Sequence, residues 1–88
     1  MKVQYRKLFL EDLARIPATV RQRIEKFVFE EAPKLKAPGE SGKIEHLKGY
    51  KGCYKVRFGD YRVGLKVADD TISFERVLHR KEIYRFFP

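Results

Sequence analysis

The sequence has no tryptophan, one cysteine and one methionine among its 88 residues. With Cys53 alone, an intrachain disulfide and a cysteine-based metal site are both excluded. Metal-ligand spacing, a glycine-rich phosphate loop and a dinucleotide fingerprint are all missing, so no metal and no other cofactor are expected. No apolar run reaches the roughly 18 residues that a membrane-spanning helix needs. The opening stretch MKVQYRKLFLEDLARIP is charged throughout and has no signal-peptide core. A cytoplasmic protein without a membrane partner is expected. Internal repeats and low-complexity segments are absent as well.

Acidic residues are few beside basic ones, at 12 Asp and Glu against 20 Lys and Arg, a formal charge of +8. Such an excess favours a polyanionic partner. It is uneven along the chain. Residues 1–45 carry ten basic and seven acidic side chains, whereas residues 46–88 carry ten and five. From Lys48 to Lys66 there are six basic residues and one acid, Asp60. The length predicts one domain, residues 1–88, with a modest core.

KVQY (2–5) alternates as a short strand. Phe9, Leu13 and Ile16 then recur at helical spacing until Pro17 interrupts them. From Pro17 to Ala32, Val20, Ile24, Phe27 and Val28 form an apolar stripe opposite Arg21, Gln22, Glu25, Lys26 and Glu30. An N-terminal helical hairpin is expected. PKLKAPGESGK (33–43) reads as a loop, with Ile44 and Leu47 docking its far end on the core.

After residue 50 the period changes to two. Tyr54, Val56 and Phe58 alternate with Cys53, Lys55 and Arg57, and Tyr61, Val63, Leu65 and Val67 alternate with Arg62, Gly64 and Lys66. A two-residue Gly59-Asp60 connection sets Phe58 opposite Tyr61, Arg57 opposite Arg62 and Val56 opposite Val63. In that register every apolar side chain falls on one face and every cation on the other. Asp69-Asp70 turns into a third strand, TISFERVL, in which Ile72, Phe74 and Leu78 are expected to continue the apolar face and Ser73, Glu75 and Val77 the other. The expected fold class is α+β: the helical hairpin packed on one face of a 3–4-stranded antiparallel sheet, with the cations on the opposite face.

Arg57 facing Arg62, with Lys55 and Lys66 beside them, is electrostatically unfavourable; either an anion joins them, or the long side chains splay into solvent with Glu75 and Asp60 as counter-charges. Guanidinium pairs bind phosphate through charge-assisted, partly bidentate hydrogen bonds. The closing HRKEIYR places His79, Arg80, Tyr84 and Arg85 where they could rim the same face. Histidine could carry a proton near neutral pH. Tyrosine could stack on a base.

The run LKGYKGCYKVRFGDYRVGLKVADDTISFERVLHRKEIYRFF resembles the RelE/ParE superfamily of type II toxin–antitoxin systems, through L-x-G, then Y-[KR]-[IV]-[KR]-x-G-x-[YR]-R-[IV], then H-R-x-x-[IV]-Y. The helical hairpin and opening strand match the family's order. The resemblance implies a microbial-RNase-like fold and a ribosome-dependent endonuclease that cleaves mRNA codons in the A site. There the 2′-hydroxyl attacks the adjacent phosphorus and leaves a 2′,3′-cyclic phosphate. It implies roles for Lys55 and Arg57 as the basic pair, Arg62 as a phosphate-holding arginine, Arg80 in leaving-group chemistry and Tyr84 in stacking on the target nucleotide. Lys48, Lys51, Lys66 and Arg85 are candidates for holding RNA around this set. The best-known members carry lysine where Arg57 stands, and arginine cannot readily act as a base. Lys55 or His79 then takes the proton, or cleavage is mainly electrostatic. The implied partners are a RelB-like antitoxin, the ribosome with its mRNA, and operator DNA only through the antitoxin complex. The alternative within the superfamily is a ParE-like, non-enzymatic toxin that binds DNA gyrase, although such members generally lack this basic and tyrosine set.

Overall fold

A computed structural model describes residues 1–88. The chain runs β1 (Lys2–Tyr5), α1 (Lys7–Ala14), α2 (Ala18–Glu25), β2 (Glu45–His46), β3 (Cys53–Phe58), β4 (Tyr61–Ala68), β5 (Thr71–His79) and α3 (Ile83–Phe86). Five strands form one sheet in the order β1-β5-β4-β3-β2. The hairpin register is the one that the alternation predicts, with Phe58 opposite Tyr61 and Arg57 opposite Arg62. Gly59 has φ +59°, the left-handed backbone that a two-residue hairpin turn demands and glycine adopts without strain.

Two expectations about the sheet are corrected. The sheet is mixed rather than antiparallel, because β1 runs parallel to β5, with Val3 opposite Ile72. It has five strands rather than three or four, since Glu45–His46 adds a two-residue edge strand on β3. Two residues cannot show an alternation, which is why β2 leaves no sequence signal.

As expected, a strand precedes the helical hairpin and each helix rests on the sheet, α1 over β5 and α2 over β3. The second helix is not uniform to Ala32: α-turns end at Glu25, a wider π-turn covers Lys26–Glu31 and a 3-10 turn covers Ala32–Lys34. In the π segment the Ala32 N–H reaches back five residues to the Phe27 carbonyl. The next donor in that pattern would be Pro33, which has no N–H. The Val28 carbonyl left open is taken by the Tyr5 hydroxyl, which donates to it at 2.6 Å. Burial of that phenol raises the Tyr5 pKa above its ordinary value.

The main core lies between helices and sheet. Phe9, Leu13, Ile24, Phe27 and Val28 meet Val56, Val63, Leu65, Ile72, Phe74 and Val77, all 4% exposed or less. A bulge in β5 revises the expected pattern. Gly64 pairs with Arg76 but Leu65 pairs with Phe74, so Glu75 is the extra residue. One additional residue reverses the facing of everything beyond it. Val77 therefore enters the main core, while Leu78 turns to the opposite face.

That opposite face is not open either. The chain end folds across it, burying Ile83 and Phe87 against Leu47, Cys53 and Leu78. The Phe87 ring lies against β4 at Gly64, where an added Cβ would stand 2.5 Å from Phe87 Cδ2. Phe86, between Ile83 and Phe87 in the chain, is 54% exposed. Leu47 docks on this second cluster, and Ile44 on the first.

Candidate functional site

The cations of the sheet gather at the β3–β4 turn and beside α3. Arg57 and Arg62 are direct neighbours across the hairpin, and Lys55 lies opposite Gly64. Lys55 Nζ donates to the Tyr84 hydroxyl at 3.0 Å. The same ammonium is 5.6 Å from the Tyr84 ring centre, so it sits beyond the hydroxyl rather than over the ring, and the contact is a hydrogen bond. Tyr84 reaches this position because Ile83 and Phe87, on either side of it in the chain, are buried against Leu47, Cys53 and Leu78.

Arg62 folds back on its own turn, donating through Nη1 to the carbonyls of Gly59 at 2.6 Å and Tyr61 at 3.0 Å. Its Nε and Nη2 make no hydrogen bond within the chain, so one edge of the fork is available to a ligand. Arg80 is fixed through its backbone, whose N–H donates to the Asp60 carbonyl at 2.7 Å. Its guanidinium stands 3.6 Å from the Asp60 carboxylate. Arg57 stands 3.5 Å from Glu45. All four partners of these pairs are 46% exposed or more, and such ion pairs contribute only about 0–1 kcal/mol. An incoming phosphate can displace either carboxylate, and the cluster keeps its excess of positive charge.

The structure therefore brings Lys55, Arg57, Arg62, Arg80 and Tyr84 to one end of the sheet. It separates two other candidates from them. His79 pairs with Tyr61, their rings meeting edge to face at 5.6 Å on the helix side. The bulge at Glu75 reverses its facing. Its Nδ1 accepts the Lys81 N–H at 3.1 Å, a local turn contact. Lys66 shares a face with Arg62, but Phe87 rests on Gly64 between them, and Lys66 opens into a different cleft with Arg6, Lys7 and Arg76. Lys48 and Lys51 are exposed in the β2–β3 turn, and Arg85 is exposed on α3.

Sequence reasoning missed an ion pair that holds this end of β5. Asp12, 5% exposed, accepts from Arg76 Nε at 2.7 Å and Nη2 at 3.1 Å, and from the Val77 N–H at 3.1 Å. The β1–β5 pairing ends at Phe74, so Val77 has no strand partner on that edge and α1 supplies the acceptor. The hydrogen bond with Asp12 is the largest cause that raises the Arg76 pKa. Phe86 lies under the Arg76 guanidinium at 5.2 Å, which ties the tail to the same pair. A signal was present: Asp12 falls on the α1 stripe, three residues after Phe9 and beside Leu13.

A mixed sheet with two helices on one face and a basic rim on the other fits the fold that the resemblance to the RelE/ParE superfamily implies. Residues 3–84 match the model of the ParE toxin family of type II toxin–antitoxin systems, and the chain belongs to that family. It is 44% identical to Toxin RelE3 of Methanocaldococcus jannaschii over 89 residues, covering all of both chains. Among solved structures, it matches the RelB–RelE antitoxin–toxin complex from Methanococcus jannaschii at 41% identity and TM-score 0.79, over 97% of this chain and 99% of the other. It also matches the archaeal RelE–RelB complex from Pyrococcus horikoshii OT3 at 27% identity and TM-score 0.65, over 90% and 93% of the two chains.

Proposed function

We propose that this toxin is a ribosome-dependent mRNA endonuclease that cleaves A-site codons to a 2′,3′-cyclic phosphate and is neutralised by an acidic RelB-like antitoxin. The observation that carries the reading is the convergence of three arginines with a hydrogen-bonded Lys55–Tyr84 pair on one rim of the sheet. Attack of a 2′-oxygen on phosphorus gathers negative charge on the phosphorane. Preplaced guanidiniums stabilise it more than they stabilise the substrate. Arg57 and Arg62 face each other across the hairpin and suit that task. Arg80, at the end of β5, suits the departing 5′-oxygen. Lys55 and Tyr84 form the proton-handling pair, and the Tyr84 ring, 54% exposed, offers a face on which the target base can stack. His79 takes no part in this scheme. The antitoxin complex, rather than the toxin alone, would bind operator DNA.

Purified protein on ribosomes programmed with defined A-site codons tests the proposal. Cleavage is expected with cyclic phosphate ends, reduced about 10²–10³-fold in Arg62→Ala, strongly reduced in Lys55→Ala and retained in His79→Ala. Intact mRNA under all codons would refute it. The match to a ParE family model favours a second reading, a non-enzymatic toxin acting on DNA gyrase. Loss of supercoiling activity with mRNA left intact would select that one.

A further inference from the structure

Four cations outside the tail's cover surround a concavity of about 350 Å³ beside the hairpin turn: Arg23 and Lys26 from the helical segment, Lys43 from the loop before β2, and Arg57 from β3. Phe58 is its one apolar wall and Glu31 its one acid. Glu31 pairs with Lys43 at 3.2 Å, both side chains at least 40% exposed, so that contact is weak. Arg23 Nη2 comes within 3.8 Å of the place a Cβ on Gly59 would occupy, so the helix cations adjoin the turn that Arg62 grips. Arg57 belongs to both groups.

We infer that this cradle is a second phosphate subsite, taking the backbone of the same RNA strand beyond the scissile position; the inference rests on the endonuclease reading. A single strand crossing the β3–β4 turn passes from Arg62 over Arg57 to Arg23 and Lys26, displacing Glu45, whose exposed pairing with Arg57 at 3.5 Å is weak. The lining suits a polyanion with little apolar surface. An acidic protein segment would need hydrophobic side chains to seat its apolar residues, and Phe58, 7% exposed, is the one hydrophobic residue in the lining. The cleft on the far side of Phe87 differs in this respect, since Leu8, Phe86 and Phe87 line it beside its cations.

The test is the salt dependence of binding to a fluorescein-labelled, 2′-O-methylated RNA 12-mer, which cannot be cleaved, read by anisotropy without ribosomes. Each phosphate contact in a single strand contributes about 0.7 to the slope of log K against log salt. Arg23→Gln/Lys26→Gln is expected to lower the slope by about 1.4. Lys2→Gln/Lys7→Gln removes the same charge near the β1 edge and is expected to leave it unchanged. Equal drops in the two double variants would overturn the cradle, as would an unchanged slope in the first. Polyglutamate of the same length binding with the same dependence on Arg23 and Lys26 would overturn it in favour of an acidic protein. Arg62→Gln separates this inference from the function it rests on. A slope that falls in Arg62→Gln but not in the cradle variant leaves the cleavage site standing alone, and the reverse result removes the cleavage site instead.

Discussion

The two faces of the sheet are built from the same strands and serve different ends. Under the helices, a continuous cluster of 15 buried residues fills the space between the layers, with Phe74 packed against Tyr5, Phe9 and Phe27. On the other face a cluster of four, Leu47, Cys53, Ile83 and Phe87, holds down a short tail. The cations stand around that cluster, with Arg57 and Arg80 exposed and loosely paired and Lys55 and Arg62 half-buried. The helix face supplies most of the stability because it removes most of the apolar area from water. The tail face uses just enough apolar contact to position Tyr84. Separating the tasks allows like charges to sit together on a sheet that is held from behind.

The comparison can be broken at Phe74. Phe74→Ala leaves a cavity among three aromatic rings and is expected to cost about 3–5 kcal/mol, measured by urea unfolding. Lys55→Ala, by contrast, should stay within about 0.5 kcal/mol while removing activity. A large stability loss in Lys55→Ala would erase the distinction between the faces.

Asp12 sharpens it next, because its ion pair crosses from the helix layer to the bulge. Asp12→Ala strands the Arg76 guanidinium and the Val77 N–H, with an expected cost of about 3 kcal/mol. That loss should be nearly pH-independent in the neutral range, because the raised Arg76 pKa keeps the cation charged there. Hydrogen exchange would show the Val77 amide opening first.

Gly64→Ala probes the tail face alone. The new methyl would meet the Phe87 ring at 2.5 Å, with an expected cost of about 1–2 kcal/mol. The proposed cleavage should fall more than stability, because the tail carries Tyr84. Phe87→Leu in the same background makes room for the methyl and should recover part of both. Failure of any recovery would show that Phe87 is not what the glycine accommodates.

The smallest effect is expected at Tyr5. Tyr5→Phe removes the hydrogen bond to the Val28 carbonyl, for about 1 kcal/mol near neutral pH. A folded-state pKa raised above the usual 10.0 means this contribution is complete below that value and lost as pH rises through the shifted one. The stability difference between wild type and Tyr5→Phe should therefore shrink in alkaline solution. A constant difference would refute the linkage.

Much of this was legible in the chain. The alternation around Gly59-Asp60 dictated the hairpin register, and with it the pairing of Arg57 with Arg62. Helical spacing identified Phe9, Leu13, Ile24 and Phe27 as core. The conjunction of Lys55, Arg57, Arg62, Arg80 and Tyr84 followed from order along the chain and from the superfamily pattern. Periodicity could do this because local geometry alone turns spacing into facing.

Three features depended on the assembled fold. The bulge at Glu75 sent His79 and Val77 to the helix side, and no period detects one extra residue whose only sign is the partner strand's register. The tail's course across Gly64 divided the cations and set Lys66 apart, a choice made by a contact between residues 64 and 87. The parallel pairing of β1 with β5 joined opposite ends of the chain. Local sequence determines which way a side chain points within its own element; which elements meet is decided by burying apolar surface that lies far apart along the chain.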